Sequence, residues 1–275
     1  MQGSWILSIS GQRRSCRSTR IVRAAILFLL SVVSVTSLLA TPAFAFKISP
    51  FTAEMAPAGP RAKLDYVVEN DTSDPTAVQI SVVRREQAED GSETLPEADD
   101  EFLVFPAQLI VLPKEKRTVR LQWLGPIKPE RELAYRLVAE QLPVDLGRPG
   151  EGKKNLQLLV KYQTALYIVP PGIRSNPARD LVVQRAEPSR DHDSGQTMDV
   201  YLVNRGLAHV HLTNAQLTAT SLADGKTVTL SSLRLTGSMA GENVLAGSVR
   251  RFSIPWPTEL AVGPVSVTLE LKGAP

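Results

Sequence analysis

Along most of the chain, apolar residues recur at every second position in short runs broken by Pro, Gly, Asn and Asp. A period of two sets successive side chains on opposite faces of a strand, so the pattern predicts half-buried β-strands. Within residues 62–69, Leu64, Tyr66 and Val68 share one face; after the turn-forming segment 70–75, Val78, Ile80 and Val82 continue the pattern. An acidic, Gly-containing loop is predicted around Glu89 to Asp100. The apolar segment 102–112 is interrupted by Pro106, which suits a sheet edge or a bulge. Val119, Leu121 and Trp123 alternate with Arg120 and Gln122, and Leu133, Tyr135 and Leu137 repeat the pattern. A longer strand is predicted from Leu156 to Val169, ended by Pro170-Pro171-Gly172 because two prolines cannot continue a ladder.

The alternation then restarts with Leu181 and Val183, with Met198, Val200 and Leu202, and with Val210 and Leu212, and runs on to Leu271. Asn204-Arg205-Gly206 predicts a tight turn or bulge. No helix longer than roughly two turns is predicted and no sequence repeat relates the halves. The fold class is all-β, with the break at the double proline dividing residues 46–170 from 171–275. Each part has the size and strand density of an immunoglobulin-like β-sandwich.

Residues 1–45 stand apart from this pattern. Arg13, Arg14, Arg17, Arg20 and Arg23 precede an apolar run from Ala24 to Ala40, followed by Pro42 and Ala43-Phe44-Ala45. A basic region, a short apolar region and a small-residue site predict a secretory signal peptide cleaved after Ala45. The alternative, an uncleaved membrane anchor, is disfavoured because Ser31, Ser34, Thr36 and Ser37 dilute the apolar run. The signal also dominates the charge. Of 31 basic and 28 acidic residues, five arginines and no acid lie in 1–45, leaving 26 basic against 28 acidic. The basic character that would favour nucleic acid thus disappears from the mature chain. Cys16, the only cysteine, also lies in the signal, so no internal disulfide is expected.

Candidate chemistry is sparse. The sequence holds no nucleophile elbow, phosphate loop or zincin helix motif, so no enzyme is expected, nor any cofactor, metal or small-molecule substrate. His209 and His211 share one face of a strand and are read as outward polar residues flanking Val210. His192 reads as a solvated loop residue, and Glu97, Asp99, Asp100 and Glu101 lack the spacing of a calcium loop. An alternative reading is a secreted immunoglobulin-like module that recognises carbohydrate or protein through its loops, for which Trp256 between two prolines is the candidate anchor.

Four stretches, in order, resemble the periplasmic chaperones of chaperone-usher pilus systems. They are Phe105-Pro106-Ala107-Gln108, then Leu112-Pro113-Lys114 with Thr118-Val119-Arg120-Leu121, then Glu132-Leu133-Ala134-Tyr135-Arg136-Leu137 up to Leu142-Pro143, and finally Leu156 to Pro170. The second half matches in strand pattern and at Val203-Asn204-Arg205-Gly206. The resemblance implies two immunoglobulin-like domains in a boomerang, a periplasmic location, and pilus or fimbrial subunits and an outer-membrane usher as partners. It further implies that the strand before the domain junction is donated to a subunit lacking its last strand, giving main-chain hydrogen bonds and core-filling side chains. Leu156, Leu158, Val160 and Tyr162, on one face at period two, are the expected donor residues.

Members of this family hold the subunit's terminal carboxylate with an Arg from the first strand and a Lys from the seventh. Here Thr52 and Ala165 fall at those positions, so the usual pair is absent. Two substitutes are expected: Arg136, from the neighbouring strand, and Lys161, four residues or about 13 Å nearer the loop than position 165. The family's ion-pair network between domains is also incomplete, because Glu132 matches its acid while Val169 occupies the basic position.

Overall fold

The computed structural model describes residues 46–144, 159–191 and 195–272. The predicted signal segment, Leu156, Leu158 and His192 lie outside these residues. The first half contains β1 (Lys47–Ser49), β2 (Thr52–Met55), β3 (Lys63–Glu69), β4 (Thr76–Arg84), β5 (Glu86–Gln87) and β6 (Glu93–Thr94). It continues with β7 (Phe102–Phe105), β8 (Gln108–Val111), β9 (Lys116–Trp123), β10 (Leu133–Gln141) and β11 (Lys161–Ile168). One sheet has the order β1-β3-β9-β7 and the other β2-β11-β10-β4-β8, while β5 and β6 form a separate hairpin. The core between the sheets is the set the alternation predicts: Tyr66, Val68, Val78, Ile80, Val82, Val119, Leu121, Trp123, Tyr135, Leu137, Leu166 and Ile168 are all buried.

Proline marks each place where a single apolar segment is shared between the two sheets. Ile48 of β1 pairs with Val68 of β3; past the cis Ser49–Pro50 bond, β2 pairs parallel with β11 in the opposite sheet. Segment 102–112 behaves likewise around the cis Phe105–Pro106 bond, with β7 on β9 and β8 on β4. Both β7 and β8 are outermost in their sheets, as the interruption by Pro106 predicts.

After Pro170-Pro171-Gly172 and a single helical turn, α1 (Pro177–Asp180), a second set of strands begins. These are β12 (Leu181–Asp191), β13 (Gly195–Asn204), β14 (Val210–His211), β15 (Ala215–Ser221), β16 (Thr227–Leu230), β17 (Asn243–Val244), β18 (Val249–Pro255) and β19 (Val265–Leu271). They form sheets β12-β13-β18, β16-β15-β19 and β14-β17, around a second core that includes Met198, Val200, Leu202, Leu212, Leu217, Phe252 and Ile254. No sheet is shared between the two sets of strands. Trp256 belongs to this core, and its indole donates to the Leu260 carbonyl at 3.0 Å. It is therefore unavailable as a loop anchor, and the loop-recognition alternative loses its candidate aromatic.

Structure reveals a correspondence between the halves that the sequence does not advertise. Asn70, just past β3, is wholly buried; its amide donates to the carbonyls of Asp74 and Val111, and its side-chain oxygen accepts from the Thr72 N–H at 2.9 Å. Asn204, ending β13, does the same with the carbonyls of Ala208 and Val244 and with the Gly206 N–H at 2.9 Å. Each asparagine closes its own turn and ties it to a strand some forty positions along the chain. Glycine is required at 206, where a Cβ would lie 2.6 Å from the Asp180 carboxyl carbon.

Candidate functional site: an open strand edge and a polar cluster

β11 pairs with β10 along its whole length, from Leu133↔Ile168 to Glu140↔Lys161. On its other side β2 covers only Ala165 to Ile168, with flanking bonds from the Ala165 N–H to Phe51 and from the Val169 N–H to Met55. Among the described residues no strand pairs with positions 161–164 on that side. A row of main-chain donors and acceptors is thus left for another strand.

Val160, Tyr162, Thr164, Leu166 and Ile168 share the inward face at period two. Leu166 and Ile168 are wholly buried, whereas Val160 and Tyr162 are half-buried and pack on the rim of the core. The Tyr162 ring meets Phe46 edge-on at 5.1 Å and Phe51 at 6.0 Å. Phe51 is 60% exposed, and Leu159 and Val144 near the start of the strand are about half exposed. Apolar surface therefore gathers beside the free edge.

The opposite face of β11 carries the predicted anchor positions. Thr52, Ala165, Arg136 and Val83 form one row across β2, β11, β10 and β4. Arg136 grips Glu93 bidentately, Nε donating to Oε2 at 3.0 Å and Nη2 to Oε1 at 2.7 Å. Arg85, between β4 and β5, reaches the same carboxylate through Nε at 2.7 Å. Burial raises the Glu93 pKa, but hydrogen bonds and charge from Arg136 and Arg85 outweigh it and hold the carboxyl below the usual range. Lys161 lies further along the strand, paired with its cross-strand neighbour Glu140 at 3.1 Å, and both are about half exposed.

Towards Ile168 this face is covered by the second half of the chain. Glu132, whose expected basic partner is replaced by Val169, is buried and accepts from His209, through the main-chain N–H at 3.1 Å and Nδ1 at 2.7 Å. The His209 ring stacks on Tyr167 with centroids 4.0 Å apart. The Tyr167 hydroxyl accepts from the Asn243 amide at 2.8 Å, and the Asn243 oxygen accepts from Arg85 at 3.1 Å. His211, opposite Asn243 in the β14–β17 pair, meets His209 edge-on. Burial, and secondarily the neighbouring His209, push its pKa below the ordinary histidine value. The reading of His209 as an outward polar residue is thus corrected, since its ring faces away from the second core but packs on Tyr167 of β11, whereas His211 is exposed, as expected. Among the described residues, no group of three His, Cys, Asp or Glu is placed to hold a metal.

Sequence reasoning missed Arg85, Glu93, Tyr167 and Asn243. Tyr167 carried the one usable signal, a large aromatic on the face opposite the core-forming Leu166 and Ile168.

Residues 57–174 match the family described as pili and flagellar-assembly chaperone, PapD N-terminal domain. No curated protein matches the sequence significantly. Among solved structures, the chain is similar to the chaperone–tip adhesion subunit pre-assembly complex CsuC–CsuE from the archaic chaperone-usher Csu pili of Acinetobacter baumannii. The identity is 19% and the TM-score 0.51, covering 78% of this chain and 89% of that one. It is also similar to a chaperone–tip adhesin complex of CFA/I fimbriae biogenesis (15%, 0.50, covering 83% and 95%). A third similar structure is the YadV chaperone (14%, 0.50, covering 82% and 91%). Residues 57–174 are thus a PapD-type chaperone N-terminal domain, and the chain has the fold of the chaperone-usher pilus chaperones, two immunoglobulin-like domains.

Proposed function

We propose that this protein is exported by residues 1–45, captures pilus subunits in the periplasm by donating an edge strand, and delivers them to an outer-membrane usher. The capturing domain is residues 46–170 and the second domain residues 171–275. Cleavage after Ala45 makes Phe46, a wholly buried core residue, the first of the folded part. The observation that carries the reading is the free edge at positions 161–164, with half-buried Val160 and Tyr162 at period two beside exposed Phe51 and Leu159.

A subunit missing its last strand has the complementary defect, an open groove flanked by unpaired main chain. Leu156, Leu158 and Val160 supply the aliphatic side chains for that groove and Tyr162 closes its end. At roughly 1.5–3 kcal/mol for each fully buried aliphatic, three of them offer about 5–9 kcal/mol before association costs are deducted. That holds a subunit and still permits exchange for a better-fitting strand. Arg136 and Lys161 are the candidate anchors for the subunit's carboxylate. Arg136 is favoured because its Nη1 edge is not engaged by Glu93 and because it shares a row with Thr52 and Ala165.

The test is a charged double replacement, Leu158→Lys with Val160→Lys, in a strain expressing a candidate subunit. The variant is expected to be exported and folded but to lose co-purification with the subunit, which is then degraded. Subunit recovered at the wild-type yield refutes the donor-strand role.

A further inference from the structure

The acidic segment predicted as a loop is a hairpin that touches both domains. β5 and β6 pair Glu86 with Thr94 and Gln87 with Glu93, and the Asp90 side chain, accepting from the Ser92 N–H at 2.9 Å, closes the tip. At that tip the Glu89 carbonyl accepts from the Arg251 N–H of β18 at 2.6 Å, which engages the outermost strand of the second domain's sheet. Gly91, at φ +90°, lies against the Arg250 guanidinium, where a Cβ would come 2.5 Å from Nη2. At its base Glu93 binds Arg136 and Arg85, and Arg85 reaches Asn243 of the second domain.

We propose that the β5–β6 hairpin is a strap between the domains, and that Glu93 is a positioning residue that holds Arg136 aimed for carboxylate recognition only while the strap's tip is docked on β18. The proposal rests on the reading of Arg136 as the anchor. Three observations support it. Glu93 takes the Nε/Nη2 edge of Arg136 and leaves Nη1 unengaged, so a second carboxylate can be accepted without breaking the first pair. Two guanidiniums share one carboxylate, so the group keeps a net positive charge on the face where the family's anchor positions lie. Finally, Arg85 is only 5% exposed in its side chain and is tied to Glu93, Tyr167 and Asn243, so it is a fixed post to which the strap is fastened.

The experiment uses the full mature chain and two readouts. The first needs no ligand: solvent exchange of the Arg136 Nε–H, followed by NMR. It is expected to be slowed at least about tenfold in the wild type relative to Glu93→Gln and to Gly91→Ala, with partial rescue in Glu93→Asp. The second compares a short peptide of alternating valine and threonine ending in a free carboxylate with the same peptide ending in an amide. The wild type is expected to prefer the acid by about tenfold, and Glu93→Gln and Gly91→Ala to reduce that preference to about threefold or less. Unprotected Nε–H in the wild type, or protection and preference that survive in Glu93→Gln, overturn the positioning role. Protection that survives in Gly91→Ala overturns the dependence on docking. If Arg136→Gln keeps the acid preference, the anchor reading fails whatever the strap does, and the exchange readout then decides the strap alone.

Discussion

His209→Ala tests how strongly the two domains hold each other. The substitution removes the Nδ1 partner of Glu132, leaving a carboxylate whose side chain is 3% exposed with only the His209 main-chain N–H. It also removes the ring stacked at 4.0 Å on Tyr167. A hydrogen bond to a buried charge is worth about 1.5–3 kcal/mol, and a stacked aromatic pair adds about 0.5–1.5 kcal/mol. Their sum, roughly 2–4 kcal/mol, is interface energy. It is therefore lost from whichever domain unfolds first, since the second unfolds with the interface already broken.

The sequence supplies the probes, because apart from Trp5 each core holds one tryptophan, Trp123 in the first and Trp256 in the second. Guanidinium unfolding followed in Trp123→Phe and Trp256→Phe backgrounds reads the domains separately. With a slope of roughly 3 kcal/mol per molar denaturant for a domain of this size, the less stable domain's midpoint should fall by about 1 M while the other stays in place. His209→Gln, which can donate to Glu132 but cannot stack, should recover the larger part. Equal shifts of both midpoints, or a shift below about 0.2 M in either, refute the assignment of this energy to the contact.

Two further outcomes concern the paired asparagines and His211. Asn70→Ala, which removes a donor from the buried Val111 carbonyl, and Asn204→Ala, which removes one from the buried carbonyls of Ala208 and Val244, should destabilise their own domains by about 1–3 and about 2–4 kcal/mol; thermal unfolding of single-tryptophan variants shows which domain is affected. His211 has a folded pKa below its ordinary value of about 6.5, so the folded state binds fewer protons than the unfolded one. Stability should therefore fall as pH drops from about 6.5 towards the folded pKa and level off below it, and His211→Asn should flatten that slope in denaturation curves measured across the range.

What was legible in the sequence follows from what alternation encodes. Tyr66, Val68, Val119, Leu121, Tyr135 and Leu137 are core residues because their neighbours are polar, and a period of two fixes their common face without knowledge of the partner strand. Alternation does not say what covers the other face. Arg85, Tyr167, His209 and Asn243 are buried by the meeting of two domains, a contact spanning up to 158 positions, and no local pattern carries it. The 89–100 segment reads as solvated because it is acidic. Its Glu93 is instead held by two arginines that are far apart in sequence, at positions 85 and 136. Asn70 and Asn204 are each recognisable as turn formers, but the bonds to Val111 and Val244 that make them equivalent are visible only in three dimensions.

The register of the sheet also bears on which substitute anchor fits the donor strand. Under the proposed donor-strand role a captured strand would lie along β11, so its register would be set by distance along that strand, in steps of about 3.3 Å per residue. Arg136 is directly opposite Ala165, and Thr52 is opposite Ala165 on the other side. Moving the anchor from the Thr52–Ala165 position to Arg136 shifts it across the sheet by about one strand spacing, roughly 4.8 Å, and not along it. Leu156, Leu158, Val160 and Tyr162 then keep the same offsets from the anchor that an Arg/Lys pair at positions 52 and 165 would give. Lys161 would instead move the anchor four residues along β11, about 13 Å, and carry Tyr162 past the end of the subunit's groove. Lys161 is also matched to Glu140 in a half-exposed cross-strand pair of the kind that contributes little and selects no ligand. The neutral pair at 52 and 165 is therefore compatible with an unchanged donor register if the charge sits at Arg136, the anchor proposed above, which Glu93 and the strap are proposed to keep in place.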